Sequence, residues 1–200
     1  MKIKTIVFLI LVSLLIFLIN YKNIDNEIYY VNIDSTNNLN YNKNIEKYLK
    51  ERKKLEKSVN QFSKQDYRTT DLIKDIKENK KEQNQTIQNA LIKADILTIY
   101  IGINDINYKI GNTNKEELYN YTDQVLDDID ELLMLIRKYC KEKIYVIGYK
   151  NEQGISYNEY FNYTNKRLNE ICKEYDIKYI EINNQEIDET VTKTIIKNIY

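Results

Sequence analysis

The chain has 200 residues, with 30 basic and 30 acidic side chains and no His, Pro or Trp. Equal charge removes the electrostatic case for nucleic acid, and the missing His removes the most common general base together with the most common metal ligand. The length allows one domain with a real hydrophobic core behind an N-terminal segment.

That segment opens with Lys2 and Lys4, followed by an uncharged apolar run from Thr5 to Ile19. The run is slightly short for a membrane span, and neither a small-x-small cleavage site nor a lipobox-type Cys follows it. An uncleaved membrane anchor over residues 1–22 is therefore expected, with a secreted product as the alternative if the segment is cleaved. The basic flank favours an inside N-terminus, placing the remaining domain, residues 23–200, outside the cytoplasm.

Ile28 to Ile33 reads as the first strand and runs into Asp34-Ser35-Thr36. Residues 42–57 read as a helix with Ile45, Tyr48, Leu49 and Leu55 near one face, and Val59 to Ser63 as a short second strand. A helix carrying Leu72, Ile73 and Ile76 is expected next, capped by Thr70 or Asp71. A polar stretch follows, then a turn or two of helix around Ile87 and Leu91. The β-branched run that ends at Ile101 is bounded by Gly102, Asn104 and Asp105, the pattern of a fully buried parallel strand.

Residues 115–139 form the clearest helix, since Leu118, Val125, Ile129, Leu132, Leu133 and Ile136 recur at helical spacing. Its Asp127, Asp128, Asp130 and Glu131 read as a solvated face, not a cation site. A fourth strand (143–148), a helix (157–175), a fifth strand (178–182) and a closing helix (187–199) complete the chain. The alternation predicts a parallel sheet of about five strands covered on both faces, a three-layer α/β/α domain. Such sheets bind ligands beyond the carboxyl ends of their strands, which puts Gly102 to Asp105 at the site edge. On spacing alone these residues, like Asp34-Ser35-Thr36, are equally ordinary turn chemistry. Cys140 and Cys172 are too few for a disulfide framework and are expected as isolated, partly buried thiols.

From Ile28 to Ile182 the chain resembles the SGNH/GDSL hydrolases, with motif blocks in matching order. The strand Ala94-Asp95-Ile96-Leu97-Thr98-Ile99 leading to Gly102-Ile103-Asn104-Asp105 is similar to the family's third block, whose Asn gives its side-chain amide to the oxyanion. Ile33-Asp34-Ser35 stands where the family has Gly-Asp-Ser, with a β-branched residue in place of the permissive Gly. Thr69-Thr70-Asp71-Leu72 resembles the helix start of the second block and puts Asp66 at the Gly whose backbone N–H joins the oxyanion hole. A carboxylate there is poorly suited beside a developing negative charge. Tyr145 to Tyr149 looks like the family's fourth strand. The family's base and its orienting carboxylate come from Asp-x-x-His, but the only stretch in that region is Asp188-Glu189-Thr190-Val191. Val191 cannot take a proton.

The resemblance implies a flavodoxin-like fold with Ser35 as nucleophile and with Asn104 and the Asp66 backbone N–H as oxyanion donors. Asp34, Gly102 and Asp105 would support them, with no metal and no cofactor. The implied substrate is an acyl or acetyl ester of a small molecule, lipid or glycan. Losing members of a Ser triad lowers turnover by about four to six orders of magnitude, and a Lys is the remaining candidate base. Two readings follow: a membrane-tethered ester hydrolase impaired by the missing His, or an inactive binding or scaffolding domain of the same fold.

Overall fold

The computed structural model describes residues 12–13, 27–36, 38–111, 113–182 and 186–199. Apart from Val12 and Ser13, the expected anchor over residues 1–22 lies outside them. Among the described residues no helix is long and apolar enough to cross a membrane.

The elements begin with β1 (Ile28–Asp34), α1 (Tyr41–Glu51), β2 (Leu55–Val59) and α2 (Thr69–Lys77). A hairpin of β3 (Lys81–Glu82) and β4 (Gln85–Thr86) precedes α3 (Ile87–Lys93), β5 (Ile96–Tyr100) and the short α4 (Ile103–Tyr108). Then come α5 (Lys115–Tyr139), β6 (Lys143–Ile147), a 3₁₀ turn (Ile155–Tyr157), α6 (Asn158–Glu174), β7 (Lys178–Ile180) and α7 (Ile187–Lys197).

The order β2-β1-β5-β6-β7 gives a five-stranded sheet in which every neighbouring pair is parallel. The chain steps outward from β1 to β2, returns to β5 on the other flank of β1, and then continues outward through β6 and β7. The reversal makes β1/β5 the topological switch point, where a doubly wound sheet opens a crevice at its carboxyl edge. Helices α1 and α7 pack together on one face, while α2, α3, α5 and α6 are linked by contacts on the other. This is the three-layer α/β/α architecture that the alternation predicts.

The sheet faces differ chemically because strand residues alternate. Val31, Ile33, Leu97, Ile99, Ile144 and Val146 form a buried apolar face. The opposite face carries buried Tyr30, Asn32, Thr98 and Tyr145, aligned across three strands by the pairs Asn32 with Thr98 and Thr98 with Tyr145. Helix α5 keeps its 25 residues helical by burying Leu118, Val125, Ile129, Leu132, Leu133 and Ile136 along one stripe.

Several boundaries differ from expectation. The first helix stops at Glu51 instead of Lys57, because Lys53 takes a left-handed φ of 53° and Lys54 N–H turns back to the Leu49 carbonyl at 2.9 Å. Leu55, which fits the helical period, therefore opens β2, and the second strand shares only Val59 with the expected 59–63. The polar stretch before Ile87 holds the β3–β4 hairpin, and α2 starts at Thr69, one to two residues before the expected caps. Both cysteines are free and buried.

Candidate active site

At the switch point the structure brings Ser35, Asp66 and Asn104 into one cluster. Three loops that leave the carboxyl ends of β1, β2 and β5 meet there. Their geometry begins with Ile33. An extended β-branched residue, fully buried, continues β1 through Asp34, so the strand does not break where a Gly would let it turn. Asp34 still pairs with Tyr100, and Ser35 N–H extends the ladder to the Tyr100 carbonyl at 3.0 Å. The Ser35 hydroxyl donates to the same carbonyl at 3.1 Å, and the residue is 0% exposed.

The two expected oxyanion donors converge, and their shared acceptor is a protein atom. Asp66 N–H donates to the Ser35 carbonyl at 3.0 Å. The Asn104 side-chain amide donates to that carbonyl at 3.1 Å and to the Tyr67 carbonyl at 3.3 Å. Asn104 thus ties the β1 loop to the β2–α2 loop. Asp66 has a φ of 58°, the left-handed region that Gly enters freely and that Asp tolerates better than most residues. The backbone shape of a Gly position is kept although the residue is not Gly.

A buried polar network sets the position of this loop. Ser63 Oγ receives Asp34 N–H at 3.0 Å and the Asn32 amide at 3.2 Å, and donates to the Asn32 carbonyl at 3.1 Å. Asn32 Oδ1 in turn accepts from Thr98 Oγ1 at 2.7 Å, and Thr98 Oγ1 hydrogen-bonds with Tyr30 OH at 3.0 Å. Sequence reasoning missed Asn32 and Ser63. The one available signal was a polar Asn inside an otherwise apolar strand, which in a buried strand needs a partner.

Asp34 shares the face of β1 that carries Tyr30 and Asn32. Its Oδ1 accepts from Thr36 N–H at 2.7 Å and Thr36 Oγ1 at 2.9 Å, and its Oδ2 accepts from Tyr41 OH at 3.3 Å. Burial, with the Asp34 charge second, pushes the Tyr41 and Tyr100 phenols well above their ordinary pKa. Neither ring can act as a base near neutral pH. Lys64 stands beside the cluster in sequence, yet its Nζ is directed to Asp75 Oδ2 at 2.8 Å and Glu82 Oε1 at 3.3 Å.

Gly102 and Asp105 fix the far wall. Gly102 has a φ of 92° and lets the chain turn directly from β5 into α4, which carries Asn104. Asp105 is buried, and its Oδ2 accepts from Thr69 N–H at 3.0 Å and Thr69 Oγ1 at 3.1 Å, so it caps the start of α2. Asp188 is occupied in the same manner. Its Oδ1 accepts from Asn40 N–H at 2.8 Å and Tyr41 N–H at 2.9 Å at the start of α1. Val191, one helical turn further on, is fully buried in α7. Among the described residues no cluster of His, Cys, Asp and Glu is arranged to hold a metal.

Fold and site together define an α/β/α domain with its polar cluster at the sheet's switch point, the architecture that the resemblance to SGNH hydrolases implies. Comparison with solved structures agrees. The chain is similar to Axe2, an acetylxylan esterase from Geobacillus stearothermophilus, with a TM-score of 0.55 and 14% identity over 86% of this chain and 80% of that one. It is also similar to the lipase Lip_vut3 from a goat rumen metagenome, with a TM-score of 0.60 and 15% identity over 76% and 79% of the two chains. At such identity the likeness is one of fold. No protein-family model matches the sequence, and no curated protein matches it.

Proposed function

We propose that this chain is a non-hydrolytic domain of the esterase/lipase fold, held at the membrane by its N-terminal segment and acting there by binding. The observation that carries the reading is the occupancy of the two oxyanion donors. The Ser35 carbonyl sits between the Asp66 N–H and the Asn104 amide, at 3.0 and 3.1 Å. A substrate carbonyl would have to displace a backbone oxygen to reach them. The hydroxyl is held inward on the Tyr100 carbonyl, and the chain has no His to deprotonate it. Alkoxide formation near neutral pH needs a base within hydrogen-bond reach.

A second reading, ester hydrolysis by Ser35, draws on the convergence of Ser35, Asp66 and Asn104. It requires the Ser35 hydroxyl to leave Tyr100 and a base other than His to meet it. A fluorophosphonate probe separates the two, because it reports an activated serine without any knowledge of substrate. The folded full chain is expected to show no adduct on Ser35 by peptide mass spectrometry. A stoichiometric adduct at Ser35 would establish the hydrolase reading in its place.

A further inference from the structure

A pocket of about 260 Å³ that shares no residue with the Ser35 cluster opens between the start of α5 and the start of α6. Its walls are Tyr119, Tyr157 and Tyr160, with Leu118 buried among them. The Tyr119 and Tyr160 rings have centroids 5.7 Å apart and planes at 86°, an edge-to-face contact on one side of the pocket. Tyr160 is anchored by its hydroxyl, which lies 2.7 Å from Thr122 Oγ1 and donates to the Ile106 carbonyl at 3.3 Å.

The mouth of this box already holds a cation from the protein itself. Lys115 Nζ lies 5.8 Å from the centre of the Tyr119 ring and 3.1 Å from a Glu159 carboxylate oxygen. One aromatic face and one carboxylate, the latter 83% exposed, meet at this ammonium, a cation–π contact beside a surface ion pair. The hydrogen bond from Lys115 to Glu159 raises the lysine pKa. Lys115 is a loose occupant. Its side chain is 74% exposed and long, and a primary ammonium is compact and strongly hydrated. A quaternary ammonium holds its water less tightly and presents methyl groups to an aromatic face.

We propose that this pocket binds a quaternary ammonium group of the choline type, which displaces Lys115 from Tyr119 and Glu159. The same chemistry is carried by a free small cation and by a phosphocholine headgroup. The site is independent of whether Ser35 is reactive.

Calorimetric titration of the full chain with choline chloride, against sodium chloride at equal ionic strength, tests the proposal. Saturable binding is expected. Tyr157→Ala and Glu159→Gln should each weaken it about five- to tenfold. Lys115→Ala should tighten it, because the internal competitor is gone. All three positions are half-buried or exposed, and a thermal melt of each variant checks that the fold is retained. Tighter binding of glycerophosphocholine than of choline assigns the site to a lipid headgroup, and the reverse order assigns it to a soluble cation. The proposal is overturned by the absence of saturable binding in the millimolar range. It is equally overturned by an affinity that either Tyr157→Ala or Lys115→Ala leaves unchanged.

Discussion

Replacing Asp188 by Ala separates a structural carboxylate from a catalytic one at the position where the resemblance expects the triad acid. Asp188 Oδ1 accepts two backbone N–H groups, from Asn40 at 2.8 Å and Tyr41 at 2.9 Å, at the open end of α1. Loss of a side-chain cap costs about 0.5–2 kcal/mol, and loss of a negative charge at a helix N-terminus removes about 0.3–1 kcal/mol more. The residue is half-buried, so the middle of these ranges applies. About 2 kcal/mol is expected, and for a chain of this size that lowers Tm by roughly 4–8 °C. Asp188→Asn keeps an acceptor oxygen and should recover about half of the loss. Circular dichroism melts of the three proteins measure it. A Tm for Asp188→Ala within about 1 °C of the parent would refute the capping role.

Two further perturbations follow from the same geometry. Gly102→Ala places a Cβ 2.6 Å from Tyr149 OH and 3.0 Å from Ile129 Cδ1 at a φ of +92°, so left-handed strain and overpacking together should destabilise the protein by about 2–4 kcal/mol in urea denaturation. Adding Tyr149→Phe removes the closest atom, so the double variant should lose less than the sum of the singles. Burial of Asp75 would by itself raise its pKa, but hydrogen bonds from Lys64, Tyr67 and Lys80 outweigh that and hold the carboxyl below its ordinary value. A depressed folded pKa contributes stability that is fully present above the unfolded value near about 4 and is lost as pH falls through the folded value. Asp75→Asn should therefore be less stable at neutral pH and show a shallower acid limb in Tm against pH. An unchanged acid limb would remove Asp75 from the account.

The fold was legible because the alternation of buried strands and amphipathic helices lies in local periodicity. The 115–139 helix is expected and observed with the same bounds because its apolar stripe persists over seven turns without a breaker. The boundary at Glu51 was not legible, since Leu55 continues the helical period and only the left-handed turn at Lys53 ends it. At the site, Ser35, Asp66 and Asn104 could be named from a motif, but what they touch could not. The partners of Asp188 lie almost 150 positions away in sequence, and Asp105 reaches Thr69 across 36, distances over which periodicity carries no information. The inward turn of Ser35 follows from Ile33, whose extended backbone carries the strand one ladder step past the place where a Gly would let it bend.

Hydrolysis of short p-nitrophenyl esters by the parent chain and its Ser35→Ala variant tests the central claim most directly. With the oxyanion donors held on the Ser35 carbonyl and no His in the chain, the two proteins should give the same background rate. A saturable rate in the parent that Ser35→Ala abolishes would contradict the account and show that Ser35 has found another base.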